Sequence, residues 1–148
     1  MDLPLSGGCL CRAVRYEIRE APYGQANCHC RACQHATGGA YAPVLLVPAA
    51  GFSVTGPLGH HQVLGDSGHR VERGFCTNCG TTLYAHTSRI ETMRPVHAVT
   101  LDQPEFFRAE LDCWVEAAQP WVVMDPALPK FRRDPPGWLA GIGPRPTE

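Results

Sequence analysis

The chain has 148 residues, with Lys and Arg 13 against Asp and Glu 14 and a formal net charge of -1, so it lacks the basic excess that holds nucleic acid or an anionic membrane. That length suits one domain with a modest core. Gly 15 and Pro 14 make about a fifth of the residues, against an average of roughly 12%, which predicts many turns and no long helix.

From Met1 to Gly8 there is neither the charged n-region nor the apolar h-region of a signal peptide, and the expected compartment is the cytosol. In residues 13–19, apolar Val14, Tyr16 and Ile18 alternate with Arg15, Glu17 and Arg19, the period of a half-buried strand. A short helix is expected over 31–36, ended by Gly38-Gly39. Residues 41–47 read as a more buried strand, placed near an edge or bulge by Pro43. The longest mostly apolar stretch, 41–52, is interrupted by Pro43, Pro48 and Gly51 and is too short to span a bilayer. Further strands are predicted at 52–56, 96–101 and 110–115, while His60-His61 reads as a turn. Short strands with turns between them define a mainly β domain over 1–132. A Pro/Gly-rich tail follows over 133–148, with Trp138, Leu139 and Ile142 as candidate anchors onto this chain or a second subunit of a homo-oligomer.

The eight cysteines are too few for a disulfide scaffold, and in a reducing compartment grouped cysteines more often bind metal than pair. Cys9-Leu10-Cys11 is a C-x-C pair, Cys28 to Cys33 is C-x-C-x-x-C, Cys76 to Gly80 is C-x-x-C-G, and Cys113 stands alone. On a strand, each C-x-C would aim two sulfurs at one ion, and Gly80 suits the left-handed backbone of a metal knuckle. Tetrahedral zinc takes four protein ligands in a closed structural site, or three and an open position in a catalytic one. Joining the two pairs makes Cys9, Cys11, Cys76 and Cys79 a complete four-thiolate site, leaving Cys28, Cys30 and Cys33 as a set of three. A second closed site, completed by Cys113 or a histidine, is the alternative partition. Iron in place of zinc is not excluded by ligand type.

At these motifs the chain resembles the glutathione-dependent formaldehyde-activating enzyme family, also called the centromere protein V family. The likeness runs over about residues 5–132. It is carried by Gly7 to Glu17, by Cys28 to Gln34 with Thr37-Gly38, by Arg73 to Thr81, and by Leu101-Asp102-Gln103-Pro104, Pro120-Trp121 and Leu128 to Phe131. The resemblance implies a β-tent fold of several small twisted antiparallel sheets and two zinc ions per chain. One ion would be structural on Cys9, Cys11, Cys76 and Cys79, and one catalytic on Cys28, Cys30 and Cys33. The implied activity is that of a carbon–sulfur lyase joining glutathione to formaldehyde. Aligned on Pro120-Trp121, Asp112 falls where the family often carries a histidine.

Zinc with three thiolates carries a formal charge of -1, so a soft fourth ligand such as a substrate thiol suits it better than an activated water. His29 would point away from its neighbouring ligands, and His35 reads as a surface histidine. Arg31 and Arg70 are candidates for glutathione carboxylates, Trp114 and Trp121 for core or pocket wall, and Cys113 for a buried, inert thiol. The competing classes are a non-catalytic zinc-stabilised interaction module and a redox protein using Cys28 to Cys33.

Overall fold

A computed structural model describes residues 2–136, so the predicted anchors Trp138, Leu139 and Ile142 lie outside the described residues. In chain order the strands are β1 (Leu5–Gly8), β2 (Arg15–Ile18), β3 (Gly24–Cys28), β4 (Ala42–Pro48), β5 (Phe52–Thr55), β6 (Leu58–Leu64), β7 (Arg70–Cys76), β8 (Thr82–Thr87), β9 (Met93–His97) and β10 (Leu111–Cys113). One helix, α1 (Arg31–Thr37), lies between β3 and β4. They form a three-stranded sheet in the order β1-β2-β5 and a seven-stranded sheet in the order β10-β3-β4-β9-β8-β7-β6. All pairings are antiparallel except β10 with β3. The chain is thus mainly β, as its short alternating segments require. Among the described residues no helix is long and apolar enough to cross a membrane.

The two sheets share a core. From β2 of the small sheet and the residue before it come Tyr16, Ile18 and Val14; from the large sheet come Leu45, Val47, Leu83 and Val96, all buried. Burial of each such aliphatic side chain contributes about 1.5–3 kcal/mol. β4 reads as a nearly continuous apolar run because it lies between β3 and β9 and is covered on both faces. Its Leu45 and Val47 enter the shared core, whereas Val44 and Leu46 join Ala26 and Met93 in a second cluster on the opposite face. That second face carries the site. Pro43 is accommodated because β9 reaches only as far as Val44, so the strand is central while Pro43 pairs with β3 alone.

Helix α1 begins where Cys30 caps it and ends at Gly38, whose φ of 67° lets its N–H reach Gln34 O at 2.8 Å. Three expectations are corrected. The strand foreseen at 96–101 stops at His97, and Ala98–Thr100 turn as a 3-10 segment because the Thr100 hydroxyl donates to His97 O at 2.7 Å. The strand foreseen at 110–115 ends at Cys113, since Trp114 takes a φ of 57° and turns the chain. His60 and His61 lie within β6, not in a turn, with His60 Nε2 3.1 Å from the Tyr84 hydroxyl.

Candidate metal centres and the adjoining cavity

Cys9, Cys11, Cys76 and Cys79 converge, their sulfurs all within 4.8 Å of one another. Cys9 and Cys11 follow β1 in a turn rather than on a strand: Arg12 N–H donates to Cys9 O at 3.0 Å, with Arg12 at a φ of 67°. Cys76 ends β7, and Gly80, at a φ of 80°, closes the second turn by donating to Cys76 O at 2.8 Å. The four sulfurs therefore meet where the end of the small sheet's β1 comes beside the end of the large sheet's β7. Backbone N–H groups aim at them, from Val14 to Cys9 at 3.2 Å and from Asn78 to Cys76 at 3.4 Å. The Asn78 side-chain amide donates to Cys11 at 3.2 Å and holds its thiol below the usual range. Leu10 N–H occupies the Thr81 oxygen at 3.2 Å, and the Thr81 hydroxyl bond to Cys79 brings that thiol down to about 5. At Cys11 and Cys79 these donors favour the thiolate, the form a metal takes, whereas at Cys76 backbone N–H bonds pull down but burial and the neighbouring thiols prevail and raise it.

Cys28, Cys30 and Cys33 form a second set, also within 4.8 Å of one another. Cys28 ends β3, Cys30 is the N-cap of α1 with its sulfur accepting from Cys33 N at 3.3 Å, and Cys33 lies in the first turn. A strand end running into a helix start brings the three sulfurs to one point. The surroundings differ from those of the first set. A hydrogen bond with Cys113 raises the Cys28 thiol well above its ordinary range, and one with Cys28 raises Cys33. At Cys30 a hydrogen bond with Cys28 pulls down, but Cys33 and burial prevail and leave it at about 12. Without a metal these thiols hold their protons. Both sets could hold a metal ion, and an all-sulfur donor set is consistent with zinc.

The trio lies on the wall of a cavity of about 160 Å³. Val44, Leu46, Met93, Pro95, Ile90 and Trp114 supply apolar walls; Arg73 and His97 are polar members that the sequence did not single out. Arg73 points from β7 towards the trio, with Nη2 4.0 Å from Cys33 Sγ. His97 is buried at the end of β9, and burial, reinforced by the Arg73 charge, depresses its pKa to about 4. Cys113 is buried as expected. It also lines the cavity beside Cys28, although its sulfur falls outside the set of mutually close thiols.

Several expected residues sit elsewhere. Arg31 and His35 are exposed on α1, 3.2 Å apart, and Arg70 is exposed on β7; none lines the cavity. Trp114 is both buried and part of the wall, but Trp121 is 69% exposed and is neither. His29 is fully buried and faces away from the trio, its Nε2 3.0 Å from Asp112 Oδ1 and its ring against Tyr41. Asp112, also buried, takes the Asn27 side-chain amide at 3.1 Å and lies 3.6 Å from Lys130 Nζ. It therefore braces β3 against β10 behind the site and does not line the cavity.

A mainly β domain stapled by one cysteine cluster, with a second set of three thiols opening on a cavity, defines a narrow class. The sequence profile of the glutathione-dependent formaldehyde-activating enzyme family matches residues 4–117, and the chain belongs to that family. No curated protein matches it in sequence. A crystal structure of a Rhodobacter sphaeroides protein is similar in fold, with a TM-score of 0.55 and 16% identity over 85% of this chain and 98% of that one.

Proposed function

We propose that the protein is a zinc-dependent carbon–sulfur lyase of the cytosol that condenses glutathione, or another small thiol, with formaldehyde or a related aldehyde. Family membership supports a glutathione-dependent, aldehyde-activating or related function, and two metal ions are assigned to the two cysteine sets. Cys9, Cys11, Cys76 and Cys79 hold the structural ion. Cys28, Cys30 and Cys33 hold the catalytic one. The observation that carries this division is the placement of the three-sulfur set, and not the four-sulfur set, on the cavity wall. A purely structural module has no need of that placement.

Zinc bound by the trio would supply a site for the substrate thiolate. The chain's own contribution is positioning. β3 and α1 fix the three donors, the apolar wall excludes water around the approaching aldehyde, and the Asp112–His29 pair holds β3 in place from behind. A carbon–sulfur bond then forms as the carbonyl π pair moves to oxygen, and the proton given up by the thiol ends on that oxygen. The product is a hemithioacetal, the S-hydroxymethyl adduct when the aldehyde is formaldehyde, with atoms and charge balanced. Because thiols add to aldehydes unaided, orientation and local concentration are what the site must provide.

The test is NMR exchange between free formaldehyde and its glutathione adduct with zinc-loaded protein. Faster exchange than the uncatalysed background is expected, and its loss in Cys30→Ser. Serine retains an oxygen for the N-cap bond to Cys33 N, so that variant should remain folded. Exchange at the background rate with the wild-type protein would refute the lyase assignment for this substrate pair.

A further inference from the structure

Two arginines line the cavity, and the carboxylates there are occupied. Asp66 accepts the Arg31 backbone N–H at 2.8 Å. Asp134 pairs with Arg89 and accepts the Trp114 indole N–H at 2.9 Å. His97 is neutral at physiological pH. Of the two arginines that line the cavity, Arg89 is paired and Arg73 has no carboxylate partner among the described residues, its side chain's one polar contact being the distant Cys33 sulfur. Its place is fixed by the sheet: Arg73 is opposite Ala85 on β8, and two residues earlier Val71 is opposite Thr87, so all four share the face that lines the cavity. A half-buried guanidinium facing an apolar space is costly to leave unmatched, and its planar fork suits a carboxylate.

Size narrows the ligand. An engineered cavity of about 150 Å³ admits benzene, so about 160 Å³ encloses roughly six non-hydrogen atoms, and a longer ligand extends from it through the open side. Formaldehyde, with two, leaves space beside it for the thiol that it meets, and has no charge to offer the arginine.

We propose that Arg73 is the anion anchor of this cavity, and that the ligand held there carries a carboxylate two or three bonds from the atom that meets the three cysteines. The separation follows from the 4.0 Å between Arg73 Nη2 and Cys33 Sγ, since a ligand atom touching the sulfurs is a short chain away from the guanidinium. The inference rests on the thiol-binding function proposed above and narrows it to short acidic ligands. Arg73 becomes a specificity-determining residue.

Calorimetric titration of the zinc-loaded full chain with 3-mercaptopropionate and with 2-mercaptoethanol tests it, because the two differ in the terminal carboxylate. The acid should bind about tenfold more tightly to the wild type, Arg73→Met should abolish that preference, and Arg73→Lys, a charge without the fork, should keep part of it. Equal binding of the two thiols to the wild type overturns the proposal and leaves thiol binding standing. So does an equal loss for both in Arg73→Met, which would make Arg73 a counter-charge for the sulfurs only. If neither thiol binds, thiol binding itself is refuted and the anchor with it. Thermal unfolding of Arg73→Met and Arg73→Lys, expected to match the wild type, checks that the comparison is made between folded proteins.

Discussion

The two cysteine sets contain the same chemical group in different settings. The contrast is sharpest between the exposed Cys11 and Cys79 and the trio, while buried Cys76 is raised like the trio. In the four-cysteine knuckle, backbone and side-chain donors converge on the sulfurs, Cys11 and Cys79 reach the surface, and their thiols are pulled towards the thiolate. In the trio the sulfurs face mainly one another and Cys113 within an apolar cavity wall, and the thiols are pushed the other way. The first arrangement offers four donors that could hold a metal where the two sheets meet. The second leaves a set of three whose charge must be balanced by whatever arrives. The two sets thus differ both in donor number and in the surroundings of the sulfurs, which is the contrast that the proposed division of labour rests on.

The sharpest way to break this contrast is to remove one ligand from each set. Cys76→Ser should release one of two zinc ions and largely unfold the domain, because structural zinc contributes apparent binding energies of about 10–16 kcal/mol to folding. Cys30→Ser should lower the metal content by one ion as well, yet keep the circular dichroism and cooperative melting of the wild type, since α1 retains its cap and β3 its pairing. Metal analysis with thermal melts distinguishes them. If both unfold alike, the sets do not divide the work.

A pH series sharpens the comparison on the cavity side. His97 is neutral in the fold with a pKa near 4, against an ordinary value of about 6.5. Between these values the unfolded chain binds the extra proton, so stability falls as pH drops from about 6.5 towards 4 and levels off below. The full shift corresponds to about 3 kcal/mol. Because acid also strips thiolate-bound metal, the informative quantity is the difference from His97→Gln, which cannot take up that proton. Urea unfolding at pH 7 and pH 4.5 should show the wild type losing more stability than the variant, and parallel losses would place the His97 ring in contact with solvent.

The two converging cysteine sets were legible in the sequence because their information is local: C-x-C, C-x-x-C and a following glycine are short spacings, and counting sulfurs against four ligands divides them as the fold groups them. β2 and α1 were legible for the same reason, the one from alternation at Tyr16 and Ile18, the other from Gly38. The cavity was not. Arg73 and His97 come from strands whose patterns are broken, since β7 reads Arg-Val-Glu-Arg-Gly-Phe-Cys and β9 carries Pro95. β1 ends in two glycines, and β6, an edge strand, has His60, His61 and Gln62 exposed in succession, so neither shows a buried face. Asp112 was noticed only as an alignment position. Its role behind the site depends on β10 pairing in parallel with β3, a contact more than eighty residues away in sequence.

That buried brace is open to direct attack. Asp112→Ala removes the acceptor of His29 Nε2 and of the Asn27 amide, and each buried group left unsatisfied costs about 1–3 kcal/mol. Denaturant unfolding of the zinc-loaded protein should register a loss in that range, and the trio should also exchange its metal faster with a chelator while the knuckle does not. Loss of stability with unchanged metal exchange would show that Asp112 supports the sheet without positioning Cys28.

The smallest expected effects compare the two turns that need a left-handed backbone. Gly80 closes the knuckle at a φ of 80°, and Gly38 caps α1 at 67°. A Cβ at either position would meet nothing within 4 Å, so alanine adds no clash and only the backbone penalty of roughly 1 kcal/mol remains. If the knuckle is a rigid staple formed with its metal, Gly80→Ala should cost what Gly38→Ala costs when both are measured with zinc, because four sulfurs leave the turn no alternative conformation. Under a chelator the comparison should disappear, since a domain without its staple has no folded turn left to strain. A much larger cost at Gly80 with zinc would mean that the turn moves as the metal binds, and that the knuckle is less prepared for its ion than its N–H donors suggest.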